Sequence, residues 1–219
     1  ELNVPLIVLR ELEASLFRIV ADQPEAAMQL SDRLMNSDSL EVRTIAARIL
    51  GLAPLNYSDS IFRRLENWSR REHERGELRL FIRSAGSLVR RTDAERFLTQ
   101  ARQWAQSRNV KEQELAIEVL IFLVEYDEFQ NLPAVFTLLE SLLRDGSTTV
   151  QPELTELTEK LLERSPIETS YTIRQLLESS VPGRMTPRIA RKLLPSFTEP
   201  SRSAIQKAIR ALAPGASRP

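Results

Sequence analysis

The feature that most constrains this chain is the regular interval at which helix-start signals recur. Segments opening at Pro24, Ser58, Thr92, Asn131, Pro166 and Pro200 each lead into an amphipathic run, at intervals of 34, 34, 39, 35 and 34 residues. A period between about 20 and 50 residues marks stacked supersecondary units, because one unit is too small to bury its apolar face alone. Each interval holds two helices and a turn. The expectation is an all-α chain, an α-solenoid of about five to six stacked antiparallel helical hairpins. Composition agrees: only 6 of 219 residues are Gly, and no period-two run of β-branched residues supplies a strand.

Apolar spacing predicts helices near 4–21, 24–36, 39–52, 59–75, 77–91, 93–107, 110–126, 132–144, 152–164, 166–179, 187–194 and 201–212. Four starts read as capping boxes, an oxygen-bearing residue three positions before Glu: Asp22/Glu25, Asp38/Glu41, Thr92/Glu95 and Ser165/Glu168. Ile61, Phe62, Leu65, Trp68 and Ser69 share one helical face, and Phe97, Leu98, Ala101, Trp104 and Ala105 share another. The run Leu115–Val124 is apolar all round except for Glu118, which predicts a helix enclosed on most sides.

Within Asp38–Pro54, the order is an Asp-led cap, Val42-Arg43, the small pair Ala46-Ala47, then Leu50-Gly51 before the turn. This order resembles the second helix of a HEAT repeat, of the armadillo type, and Gly76–Arg79 echoes it. The resemblance implies one HEAT-like superhelical domain over 1–212, followed by a flexible tail over 213–219.

Net charge is zero but unevenly spread: −4 over 1–60, +6 over 61–110, −9 over 111–168 and +7 over 169–219. In a solenoid this spread becomes bands along the axis. Arginine outnumbers lysine 26 to 4, and its planar fork suits carboxylate and phosphate. Arg79, Arg83 and Arg90 fall on one helical face with no acid among them. HEAT-like second helices line the concave surface, so the resemblance points that row, with Arg43, at a ligand. Glu114, Glu118 and Glu125 line one side of the enclosed helix, and Glu114 and Glu118 join the expected partner-binding set.

The chain has no Cys and a single His, His73, in the polar run Arg70–Arg75. Disulfides, thiolate metal sites, thiol nucleophiles and histidine triads therefore lack their parts. No glycine-rich phosphate loop appears. The expectation is no catalytic residue, no metal and no cofactor. The ten-residue run Leu115–Val124 is too short to span a bilayer, so no membrane insertion is expected. A cysteine-free chain without a signal-peptide pattern suits the reducing cytoplasm. Starting at Glu1 rather than Met, it reads as a piece of a longer protein.

The leading functional expectation is a non-catalytic scaffold that binds a protein partner on its curved surface. The alternative is a nucleic-acid-binding solenoid, because HEAT-like folds include alkylpurine DNA glycosylases. That resemblance implies a basic groove with aromatic residues and an acid, for which Tyr57, Trp68, Trp104 and Asp59 or Asp93 are the candidates. A structural segment stacking on its neighbours through opposed charge bands is the third expectation.

Overall fold

The computed structural model of the chain describes residues 6–71, 75–180 and 183–212, without the side chains of 6–10, 12–14 and 75. His73 and the tail over 213–219 lie outside the described residues. Among the described residues there are thirteen α-helices, three short 3₁₀ turns and no strand, so the chain is all-α. It divides into two compact units, Glu1–Gln100 and Ala101–Pro219.

The first unit holds α1 (Leu6–Asp22), α2 (Pro24–Leu34), α3 (Leu40–Gly51), α4 (Ser58–Ser69), α5 (Arg75–Ala85), α6 (Ser87–Thr92) and the start of α7 (Ala94–Ala105). Its centre is α3, which packs against α1, α2, α5 and α6. Small residues make that possible: Ala46 and Ala47 are fully buried, and Gly51 meets α5 so closely that a Cβ would lie 2.0 Å from the Ser84 carbonyl oxygen. Only a residue without a side chain tolerates this approach. The helix expected over 77–91 is broken in two at Gly86, where a Cβ would lie 2.6 Å from the Phe97 ring. Phe97 also stacks on Phe62 at 5.3 Å between centroids, and Trp68 meets Phe81 edge-on at 5.9 Å. Such aromatic pairs are worth about 0.5–1.5 kcal/mol each beyond the area they bury.

The second unit continues α7 and adds α8 (Val110–Val124), α9 (Leu132–Asp145), α10 (Gln151–Arg164), α11 (Pro166–Glu178), α12 (Thr186–Lys192) and α13 (Ser201–Ala211). Every residue of Leu115–Val124 is buried, as the all-round apolar run predicts, and α8 packs on α10. The end of α8 is closed by Arg164 at the end of α10. Its guanidinium donates to the carbonyl oxygens of Val124 (2.6 Å), Tyr126 (2.9 Å), Asp127 (3.0 Å) and Phe129. The last carbonyls of a helix have no intrahelical partner, and here one planar donor satisfies that of Val124 together with three carbonyls of the following loop. Buried Gln113 ties two loops together, donating to the Ser107 carbonyl (2.8 Å) and accepting from the Ser147 N–H (2.9 Å).

Two of the expected caps shift by one residue. Ser39, not Asp38, accepts from the Val42 N–H at the start of α3, and Asp93, not Thr92, accepts from the Arg96 N–H at the start of α7. A third box gives way because Pro24 opens α2, which leaves Gln23 as the capping position and Asp22 as the last residue of α1. At α11 the Ser165 hydroxyl donates to Glu168 at 2.6 Å, and that bond holds the Glu168 carboxyl below the usual range.

Candidate nucleic-acid interface

In the first unit α3, α5 and α6 form a contiguous layer whose charged side chains are mostly cationic. The three helices carry Arg43, Arg48, Arg75, Arg79, Arg83, Arg90 and Arg91 against Glu41 and Glu77, a balance of +5. Arg43 and Glu77 form a half-buried ion pair at 2.7 Å that joins α3 to α5. The Arg43 Nε is buried and makes no hydrogen bond. Arg79, Arg83 and Arg90 are half-buried and Arg91 is exposed. The expected single row is interrupted: Arg79 and Arg83 lie on α5, Arg90 beyond Gly86 on α6. Both helices pack on α3, so all four expected arginines belong to one layer.

Glu114 and Glu118 belong to the second unit. Glu114 is half-buried and pairs with Lys111 at 3.0 Å, Glu118 is buried on α8, and Glu125 stands exposed just after that helix. The expected partner-binding set therefore divides into four arginines in one unit and two glutamates in the other.

On the α2–α4 side of the first unit an open hollow of about 560 Å³ is lined by Asp32, Asn36, Arg63, Arg64, Asn67 and Arg71, among others, with Trp68 beneath them. Trp68 is only 2% exposed, and Trp104 is buried to the same degree, so both are core residues rather than stacking surfaces. Arg64 grips the Asp32 carboxylate with two parallel bonds of 2.9 and 2.8 Å. The Tyr57 hydroxyl donates to Glu25, which holds the Glu25 carboxyl below its ordinary range and pushes the phenol above its own. Asp59 pairs with Arg96 at 2.9 Å, and Asp93 caps the backbone of the same Arg96 at 3.2 Å. The two acids are thus gathered around one residue, each already occupied in joining or starting helices.

Sequence reasoning missed Arg96, the Asp32–Arg64 clamp and the Arg43–Glu77 bridge. The signal was present in the repeat itself. Arg43–Glu77, Asp32–Arg64, Asp59–Arg96 and Gln113–Ser147 are separated by 34, 32, 37 and 34 residues, close to one period in each case.

The model of the DNA alkylation repair enzyme family matches residues 2–178. The chain belongs to that family. Among curated proteins no relative matches. The crystal structure of YibA from E. coli is similar at 16% identity over 91% of each chain, with a TM-score of 0.30, too loose a superposition to support any statement about this chain.

Family membership corrects four expectations. The identification as a HEAT-like, armadillo-type repeat chain gives way to the DNA alkylation repair enzyme family, whose match covers most of the chain. Apart from the looser echo at Gly76–Arg79, the residues that suggested HEAT lie around α3, and local packing accounts for them: Ser39 caps, Ala46 and Ala47 fill a crowded contact, and Gly51 admits Ser84. The non-catalytic scaffold and the absence of enzymatic activity are overturned by a family named for its repair enzymes. A protein partner finds no support. Among the described residues no helix is long and apolar enough to cross a membrane.

Proposed function

We propose that this chain binds alkylated DNA and removes the damaged purine by hydrolysing its N-glycosidic bond. The match of the family model over 2–178 carries this reading. The +5 layer of α3, α5 and α6 supports a place for the DNA. Guanidinium groups grip phosphate oxygens bidentately, and neutralised phosphates release counterions, which drives association. Arg79, Arg83 and Arg90 are the phosphate-contacting residues in this reading, and Arg43, paired with Glu77, holds α5 against α3 beside them. In the reaction, the glycosidic bond breaks with its electron pair going to the cationic base, water adds to the sugar carbon, and its proton passes to solvent, leaving an abasic sugar and a neutral free alkylpurine. Alkylation of a ring nitrogen makes the base cationic and a good leaving group, so strong general-acid help is not required of the protein.

Helical hairpins stacked in chain order are part of the same proposal for each unit. The packing of α3 on both α2 and α5, of α8 on α10, and of α11 on α13 supports it. So is a cytoplasmic site of action, on the chain's lack of cysteine.

The test is incubation with a duplex methylated on its purine ring nitrogens, followed by chromatography of released bases and counting of alkali-labile abasic sites. Released methylpurine above the spontaneous rate is the expected result. A spontaneous rate unchanged by saturating protein rejects the excision step.

A further inference from the structure

One helix face in the second unit exposes two large apolar side chains, a pairing not repeated among the described residues of that unit. Along α11, Ile167, Tyr171 and Arg174 stand at i, i+4 and i+7 on the exposed side, whereas Thr169, Ile173, Leu176 and Leu177 face inward. Ile167 is 77% exposed and Tyr171 54%, large values for an aliphatic and an aromatic side chain. Phe17, Ile19, Leu30 and Leu40 are exposed on helices of the first unit, but among the described residues of the second unit Ile167 and Tyr171 alone are large, apolar and exposed, and they stand one turn apart. Arg174 lies over the Tyr171 ring, 5.8 Å from its centroid, and fixes one face of that ring. A groove of about 180 Å³ runs beside the stripe, floored by Ser170 of α11 and by Ser201 and Ala204 of α13.

The charge around this groove selects the occupant. From Gly183 to Leu212 the chain carries seven exposed cations (Arg184, Arg188, Arg191, Lys192, Arg202, Lys207 and Arg210) against Glu199, while α11 itself adds the exposed acids Glu168 and Glu178, the latter 4.0 Å from Arg174. Both helices of this stretch, α12 and α13, pack on α11. Lys207 follows Ala204 by three residues, which sets it on the flank of α13 that borders the groove. The set lies beyond residues 2–178, so the family match does not account for it. An aromatic ring, an apolar neighbour and an excess of cations are the parts from which single-strand sites are made: bases stack on the ring while cations follow the backbone. A protein segment would need acidic groups in register with the cations and gives no reason for the open ring face.

We infer that the α11–α13 groove is a second nucleic-acid site, which takes an unpaired nucleotide on Tyr171 and its phosphates on Arg174 and Lys207. It rests on the DNA reading of the chain but not on the α3–α5–α6 layer. Its role is to hold a strand end or an extruded stretch of the DNA under repair.

The test measures fluorescence anisotropy of the full chain against labelled oligothymidylate and, separately, against a blunt duplex, at low salt. Tyr171→Ala is expected to lose roughly tenfold in affinity for the oligothymidylate, the scale of one base–aromatic stack. Tyr171→Phe is expected to keep it, because the ring rather than the hydroxyl does the stacking, and neither variant changes duplex affinity beyond about twofold. Wild-type binding of duplex but not of oligothymidylate overturns this inference and leaves the proposed function standing. Equal oligothymidylate affinity for wild type and Tyr171→Ala overturns it too. Oligothymidylate binding that depends on Tyr171, without any duplex binding, keeps the inference and removes the proposed duplex mode.

Discussion

The α3–α5–α6 layer of the first unit and the α8–α10 pair of the second are made of similar helices and carry opposite charge. The former bears seven arginines against two glutamates, the latter Glu112, Glu114, Glu118, Glu153, Glu156, Glu159 and Glu163 against Lys111, Lys160 and Arg164. The bases of the second pair are already engaged. Lys111 and Lys160 pair with Glu114 and Glu163, and Arg164 is spent on four backbone carbonyls. Arg43 of the first layer is engaged as well, with Glu77, but that layer's own acids are only Glu41 and Glu77 and its net charge is positive, so an anionic surface is attracted to one helix layer and repelled by the other. Packing makes these helices; the side chains left over after packing decide what they meet.

The sharpest way to break the comparison is double charge reversal. Arg79→Glu with Arg83→Glu is expected to weaken duplex binding roughly a thousandfold at low salt, since two attractions become like-charge contacts costing several kcal/mol. Glu159→Lys with Glu163→Lys is expected to change it by less than about threefold, as these glutamates belong to the layer that does not hold phosphate. Anisotropy titrations, with thermal melts of each variant as a control for folding, decide between a located interface and diffuse attraction. Equal losses in the two double variants would erase the distinction between the layers.

Two substitutions probe how each region is held together. Gly51→Ala is expected to cost about 3 kcal/mol, because its Cβ meets the Ser84 carbonyl at 2.0 Å and α3 and α5 must separate. Arg164→Ala is expected to cost about 2 kcal/mol by stripping the end of α8 of its charged donor. Urea unfolding measures both. If Gly51→Ala proves neutral, the close approach on which the arginine layer is assembled is wrong.

The smallest effect is a pH dependence. The Tyr57 bond lowers the Glu25 carboxyl and raises the phenol. For the lowered carboxyl, stability from the bond is present above the unfolded Glu25 value and lost as pH falls through the folded one. For the raised phenol, it is present below the unfolded Tyr57 value and lost as pH rises through the folded one. The stability difference between wild type and Tyr57→Phe is thus expected at neutral pH and absent at both extremes. A difference that persists in acid would assign the effect to packing.

The helices were legible in the sequence because their signal is local. Ile61, Phe62, Leu65 and Trp68 recur with helical period and all face inward. The enclosure of α8 follows from its uninterrupted apolar run. The break at Gly86 was not legible, since it depends on Phe97 arriving from another helix, and the one-residue shifts of the caps depend on where each chain turn ends. The arginine layer was half legible. Arg79 and Arg83 share a helical face by spacing, but Arg43 joins them only through the packing of α3 on α5, at a distance of one repeat period. Function was misread because the residues that mimic a HEAT repeat are those any tightly packed helix needs, whereas the family match draws on positions spread along most of the chain.

The most direct test of the central claim is the salt dependence of duplex binding by the wild-type chain beside Arg79→Glu/Arg83→Glu. With several phosphates neutralised on the α3–α5–α6 layer, the logarithm of the binding constant should fall with the logarithm of salt at a slope of about −3 to −5. The double variant should show a slope shallower by about 2. A slope near zero, or one that the substitutions leave unchanged, would contradict the assignment of this layer as the DNA-binding surface.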